Sequence, residues 1–127
     1  IITMNEPTSL FERFFWWLPF GSVPEVSSES LANNIMDAKL APQILDVRSP
    51  GEWKGGHIPG AINVPIGELK GRLSSLALDK EKPVVAICLH ARRSIPAVRL
   101  LKAKGYQNVT QLEGGMTAWR SLSLIEE

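Results

Sequence analysis

The 127-residue chain is predicted to fold as a three-layer α/β domain around a mostly parallel sheet, and three observations predict it. The run Val84-Val-Ala-Ile87 is apolar throughout, the pattern of a parallel strand buried on both faces by helices. Strand-like and helix-like segments alternate from about residue 24 onward, as crossover connections require. The composition, 44% hydrophobic and 21% charged, is ordinary for a globular protein, and the length leaves room for one core that needs no disulfide or metal.

Each element has a local reason. Ser27 and Ser28 are candidate caps for a short helix through Leu31, Ile35 and Met36, with Glu29 or Ser30 in its first turn. Residues 43–47 read as a strand, Ser49-Pro50-Gly51 as a turn, and residues 61–64 as a second short strand after a loop rich in glycine and proline. Leu69, Leu73 and Leu76 share one side of a helix over 66–76, weakened by Gly71. Past strand 84–87, Ser94 as a cap and Pro96 in the first turn open the clearest helix. Its Val98, Leu100 and Leu101 face inward, Lys102 and Lys104 sit near its negative end, and Gly105 stops it. Residues 109–112 form the last strand, and Glu113-Gly-Gly115 turns into a terminal helix holding Trp119.

The chain divides into an aromatic arm, residues 1–23, and a domain, residues 24–127. Residues 11–20 hold six of the nine aromatic side chains. That segment is too short for a membrane-spanning helix, which needs about 20 apolar residues, and it lacks the basic leader and cleavage site of a signal peptide. Two readings stand. Trp16 and Trp17 dip into a membrane interface or a partner groove, or the arm folds back on its own domain.

Fourteen basic and thirteen acidic residues give a net charge of +1, and the basic residues form no tract, so nucleic-acid binding is not expected. One cysteine allows no internal disulfide and points to a reducing, cytoplasmic setting, peripheral to a membrane if the arm docks there. Cys88 and His90 in one loop, with His57 the only other imidazole, do not have zinc-ligand spacing. No metal site is expected.

The candidate site is Cys88. It ends a buried strand, and a helix begins about six residues later, where ligands bind in open α/β sheets. Converging amides, the helix dipole and the charges of Arg92 and Arg93 would stabilise a thiolate and hold it below the free value of about 8.5. They would also attract an anionic substrate, which makes Cys88 a candidate nucleophile. The bland alternative is a structural cysteine at a strand end, with both arginines solvated.

Cys88-Leu-His-Ala-Arg-Arg-Ser94 resembles the active-site loop of rhodanese domains, in which arginine and then serine follow at the fifth and sixth positions. Leu45-Asp-Val-Arg48, Glu52, Gly56-His-Ile-Pro-Gly-Ala61 and Asn63-Val-Pro65 resemble that family's first signature. Val109, Leu112, Glu113-Gly-Gly115 and Ala118-Trp119 resemble its closing one. The resemblance covers about residues 24–122. It implies a five-stranded parallel sheet flanked by helices, and transfer of sulfane sulfur from thiosulfate or a related donor such as a persulfide to a thiol or cyanide acceptor, with no metal or organic cofactor.

In that mapping Cys88 carries the sulfur, and the amides of Leu89, His90, Ala91, Arg92 and Arg93 cradle it beside Ser94. Arg93 shapes the loop or orients the donor. Asp46 and Arg48 are structural, with Arg48 paired to Glu52, and His57 braces a turn. One departure is Ala91, where the family commonly has glycine; a positive φ there would cost alanine about 1 kcal/mol. The loop also differs from the Gly-rich version of mercaptopyruvate-preferring relatives, which favours thiosulfate. Cysteine-dependent phosphatases and arsenate reductases on this fold place arginine six residues on, where this chain has Ser94. A non-enzymatic binding module is the remaining alternative.

Overall fold

Side chains alternate along a strand, so each strand of a covered sheet feeds two separate apolar layers. The computed structural model describes residues 15–18 and 21–127. Its strands are β1 (Glu25–Val26), β2 (Gln43–Asp46), β3 (Ile62–Asn63), β4 (Val84–Ile87) and β5 (Val109–Leu112). They form one sheet in the order β1-β5-β4-β2-β3, every pair parallel. The helices are α1 (Ser28–Ile35), α2 (Pro50–Lys54), α3 (Ile66–Arg72), α4 (Ser94–Ala103) and α5 (Gly115–Ser121).

The parity of the strands sets the layers. Leu45, Val47, Val84, Ala86, Cys88 and Val109 pack with Leu69 of α3 and with Ala97, Val98 and Leu101 of α4. Ile44, Val85, Ile87 and Leu112 pack on the other face with Leu31 of α1 and with Met116 and Trp119 of α5. Cys88 therefore continues the alternation of Val84 and Ala86 and points to the α3/α4 side.

Four local expectations change. Ser49-Pro50-Gly51 is not a free turn: Ser49 caps α2, its hydroxyl accepting from Glu52 N while Glu52 Oε1 accepts from Ser49 N, with Pro50 in the first turn. The helix expected over 66–76 is α-helical only to Arg72 and closes with a 3₁₀ turn at Leu73–Ser75, where Ser75 Oγ donates to Arg72 O at 2.8 Å. Ser27 alone caps α1, and Met36 lies past its end, 79% exposed. Ser94 is the first residue of α4 rather than its cap, because its hydroxyl is engaged elsewhere. Gly105 ends α4 in the left-handed region, as expected.

The described part of the aromatic segment folds back. Trp16 packs against the α3/α4 layer under Lys70 Nζ, 5.9 Å from its ring centroid, and Leu18 O accepts from Arg99 Nη1 at 2.8 Å. Trp17 remains 56% exposed. Residues 11–14 and 19–20, on which the rest of that reading fell, lie outside the described residues. Among the described residues no helix is long and apolar enough to cross a membrane.

Candidate active site

The turn from β4 into α4 carries Cys88 and the loop 89–93. Cys88 is 1% exposed, and its Sγ lies 3.3 Å from Ser94 Oγ. Leu89, Ala91 and Arg93 are partly buried around it, while His90 and Arg92 are exposed. Two carbonyls of the loop turn back towards α5: Met116 N donates to Cys88 O at 2.8 Å and Thr117 N to Leu89 O at 3.1 Å. A trans peptide points its N–H opposite to its C=O, so the amides of Leu89 and His90 face away from α5. Among the described residues, no acceptor takes the amides of residues 89–93, and none of them donates to Sγ. They are uncommitted donors in the loop that runs from the sulfur into α4, as the N-terminus of a helix supplies.

Gly115 allows α5 to approach the loop this closely. Its φ is +61°, and a Cβ there would run into the carbonyl oxygens of Cys88 and Leu89. Thr117 Oγ1 adds a contact to His90 Nδ1 at 3.1 Å. The sequence marked Gly115 only as part of a turn and of the closing signature and gave no signal for Met116 or Thr117, since the contact joins elements far apart in the chain.

The charged pairs differ from the expected arrangement. Arg48 does not pair with Glu52. It is buried against Asp46, with Nη2 to Oδ2 at 2.8 Å, and also donates to Gly56 O at 2.8 Å. Asn63 Nδ2 donates to Asp46 O at 3.0 Å and Arg48 O at 2.8 Å, which ties β3 to the same knot. A buried guanidinium needs a buried partner, and the carboxylate two residues earlier is already inside.

Glu52 instead meets Arg93 in a two-pronged pair at 2.5 and 2.8 Å, joining α2 to the loop. The Arg93 hydrogen bond pulls the Glu52 carboxyl from its ordinary 4.5 to about 2, against the upward push of burial. Arg93 is raised in turn, chiefly by Glu52, with the Cys88 sulfur among the lesser causes. Among the described residues, Arg92 makes no ion pair and is the open guanidinium at the loop rim.

The folded Glu52 value lies below the unfolded one. Its stabilisation is therefore complete above about pH 4.5 and is lost as pH falls from there towards 2. Glu52→Gln is expected to flatten that limb of the urea-midpoint profile. Because the pair is partly exposed, the cost at neutral pH is about 1 kcal/mol or less.

Ala91 sits at φ +62°, so the strain foreseen for a residue other than glycine is present. Ala91→Gly is expected to stabilise the domain by about 0.5 kcal/mol in urea unfolding, the alanine penalty less the extra freedom glycine has when unfolded. His57 braces its turn, with Nδ1 2.7 Å from Trp53 O and its ring stacked on Trp53 at 3.9 Å.

The family model for the rhodanese-like domain matches residues 27–122. The chain belongs to the rhodanese-like family. The putative sulfur carrier protein YrkF of Bacillus subtilis is 36% identical to it over 98 residues, 77% of this chain and 51% of that protein. A sulfurtransferase of Allochromatium vinosum is 35% identical over 97 residues, 76% of this chain and 88% of that one. The crystal structure of a rhodanese-related protein from Thermoplasma volcanium superposes with a TM-score of 0.73 at 32% identity, covering 83% of this chain and 98% of that one. This rhodanese-like domain thus spans about half the length of YrkF.

Proposed function

We propose that the domain is a sulfurtransferase that carries sulfane sulfur as a persulfide on Cys88. The observation that carries this reading is the lone cysteine at a strand end, followed by five loop amides that, among the described residues, no protein group accepts. Such donors favour an anionic sulfur that a core cysteine would not need. The relatives' names, a sulfur carrier and a sulfurtransferase, are in keeping with it.

The preferred donor is thiosulfate, with a small-molecule or protein persulfide as the alternative. The Cys88 thiolate attacks the outer sulfur of thiosulfate, the bond to the sulfonate sulfur breaks, and sulfite leaves with the electron pair. The Cys88 persulfide anion is then held by the amides of residues 89–93. Cyanide or a thiolate attacks its outer sulfur, giving thiocyanate or a new persulfide and returning the Cys88 thiolate. Arg92 offers the incoming dianion its open guanidinium, and Arg93, held by Glu52, fixes the loop. Because Cys88 is 1% exposed, the donor enters past the partly buried side chains of the loop.

Intact mass spectrometry tests the proposal. Protein incubated with thiosulfate is expected to gain one sulfur atom, and cyanide is expected to remove it as thiocyanate. Protein whose thiol alkylates readily yet gains no sulfur from thiosulfate or a persulfide donor would favour the binding-module reading instead.

A further inference from the structure

The parallel register brings three side chains from adjacent strands to one face. Glu25 of β1 is the partner of Gln111 of β5, and Gln111 is the partner of Ala86 of β4, two residues before Cys88. Their parity matches that of Val109 and Ala86, so all three point to the side where Ser94 begins α4. Their polar atoms form a continuous file. Glu25 Oε2 accepts from Gln111 Nε2 at 2.8 Å, Gln111 Oε1 accepts from Ser94 Oγ at 2.6 Å, and Ser94 Oγ lies 3.3 Å from Cys88 Sγ. Glu25 is exposed, whereas Gln111, Ser94 and Cys88 are buried.

The direction of every proton in the file follows from its outer end. A carboxylate only accepts, so the Gln111 amide must turn its NH₂ group to Glu25 and its oxygen to Ser94. That oxygen also only accepts, so the single Ser94 hydroxyl proton goes to Gln111. The Ser94 oxygen then meets Cys88 with lone pairs, and the S–H is the donor. An ionised sulfur in the same place would face a lone pair. A Ser94 hydrogen bond to the ionised sulfur requires the hydroxyl to swing to sulfur, leaving a buried amide oxygen unpaired, or the Gln111 amide to flip against Glu25.

We infer that Glu25 and Gln111 are positioning residues for Cys88: through the Ser94 hydroxyl they hold the resting sulfur as a protonated donor. The inference rests on Cys88 being the sulfur carrier of the proposed function. The other charged groups around the site are Arg93 with Glu52 from α2, Arg48 with Asp46 from β2, and exposed His90 and Arg92 on the loop. The variants below leave all of them in place.

The chain has one cysteine, so the pH profile of iodoacetamide alkylation reads that thiol alone. Gln111→Leu removes the acceptor and frees the Ser94 hydroxyl for the sulfur. The profile midpoint is expected to move down by about half a pH unit, or about threefold faster alkylation at a pH below both midpoints. Glu25→Ala, on an exposed edge strand that folding tolerates, is expected to move it in the same direction by less. Both shifts are expected to vanish when each variant is made in a Ser94→Ala background. A shift that survives Ser94→Ala is a through-space effect and overturns the inference, as does an unmoved or raised midpoint in folded Gln111→Leu. Sulfur uptake from thiosulfate, followed by mass on the unaltered chain, separates the two readings. Uptake with an unmoved Gln111→Leu midpoint overturns the file and spares the carrier. A midpoint that moves and depends on Ser94, without uptake, supports the file and overturns the carrier.

Discussion

Gly115→Val is expected to abolish sulfur loading and to cost about 3–4 kcal/mol of stability, although residue 115 supplies no chemical group. A left-handed φ of +61° costs a side-chain-bearing residue about 1–2 kcal/mol, more when β-branched. The added Cβ would also run into the Cys88 and Leu89 carbonyl oxygens, so α5 must withdraw. Withdrawal breaks the bonds from Met116 N and Thr117 N, worth about 1 kcal/mol each. Those bonds fix which way the Leu89 and His90 amides point, so these proposed donors to the sulfur lose their aim together with the stability. Gly115→Ala is expected to follow in the same direction with a smaller loss. Urea midpoints and persulfide loading by mass are the measurements. A valine variant that loads sulfur normally at wild-type stability would mean that the loop keeps its shape without α5.

That dependence on α5 marks where the sequence stopped being readable. Strand β4 and helix α4 were legible because a four-residue apolar run and a 3.6-residue apolar stripe are local patterns. Strand β1 is two residues with no apolar run; the family resemblance implied a fifth strand without placing it, and its place follows from pairing with β5. Helix α2 carried its signal, a serine three residues before a glutamate, but the Ser-Pro-Gly start reads equally as a turn. Within the site, the stretch from Cys88 to Ser94 was legible as a motif. The charge pairing was not: the resemblance implied Arg48 with Glu52, and only burial decides that Arg48 belongs to Asp46 and Glu52 to Arg93. Gln111 and Glu25 needed the register between strands, which a parallel sheet with long crossovers does not encode locally.

Cys88→Ser is expected to remove sulfur transfer entirely while changing stability by about 1 kcal/mol or less. The loss is complete because each half of the proposed cycle passes through a bond to that sulfur. A serine hydroxyl is not ionised near neutral pH and forms no persulfide. The fold is retained because the replacement is nearly isosteric and its hydroxyl inherits the S–H position facing Ser94 Oγ. The new polar group is buried but partnered, so the usual desolvation cost of about 1–3 kcal/mol is largely offset. Thiocyanate production from thiosulfate and cyanide measures the first expectation, and urea unfolding the second. Turnover persisting in the serine variant would move the chemistry off Cys88. An unfolded serine variant would show instead that the thiol's packing among Ala86, Ala97 and Val98 outweighs the hydrogen bond at its tip.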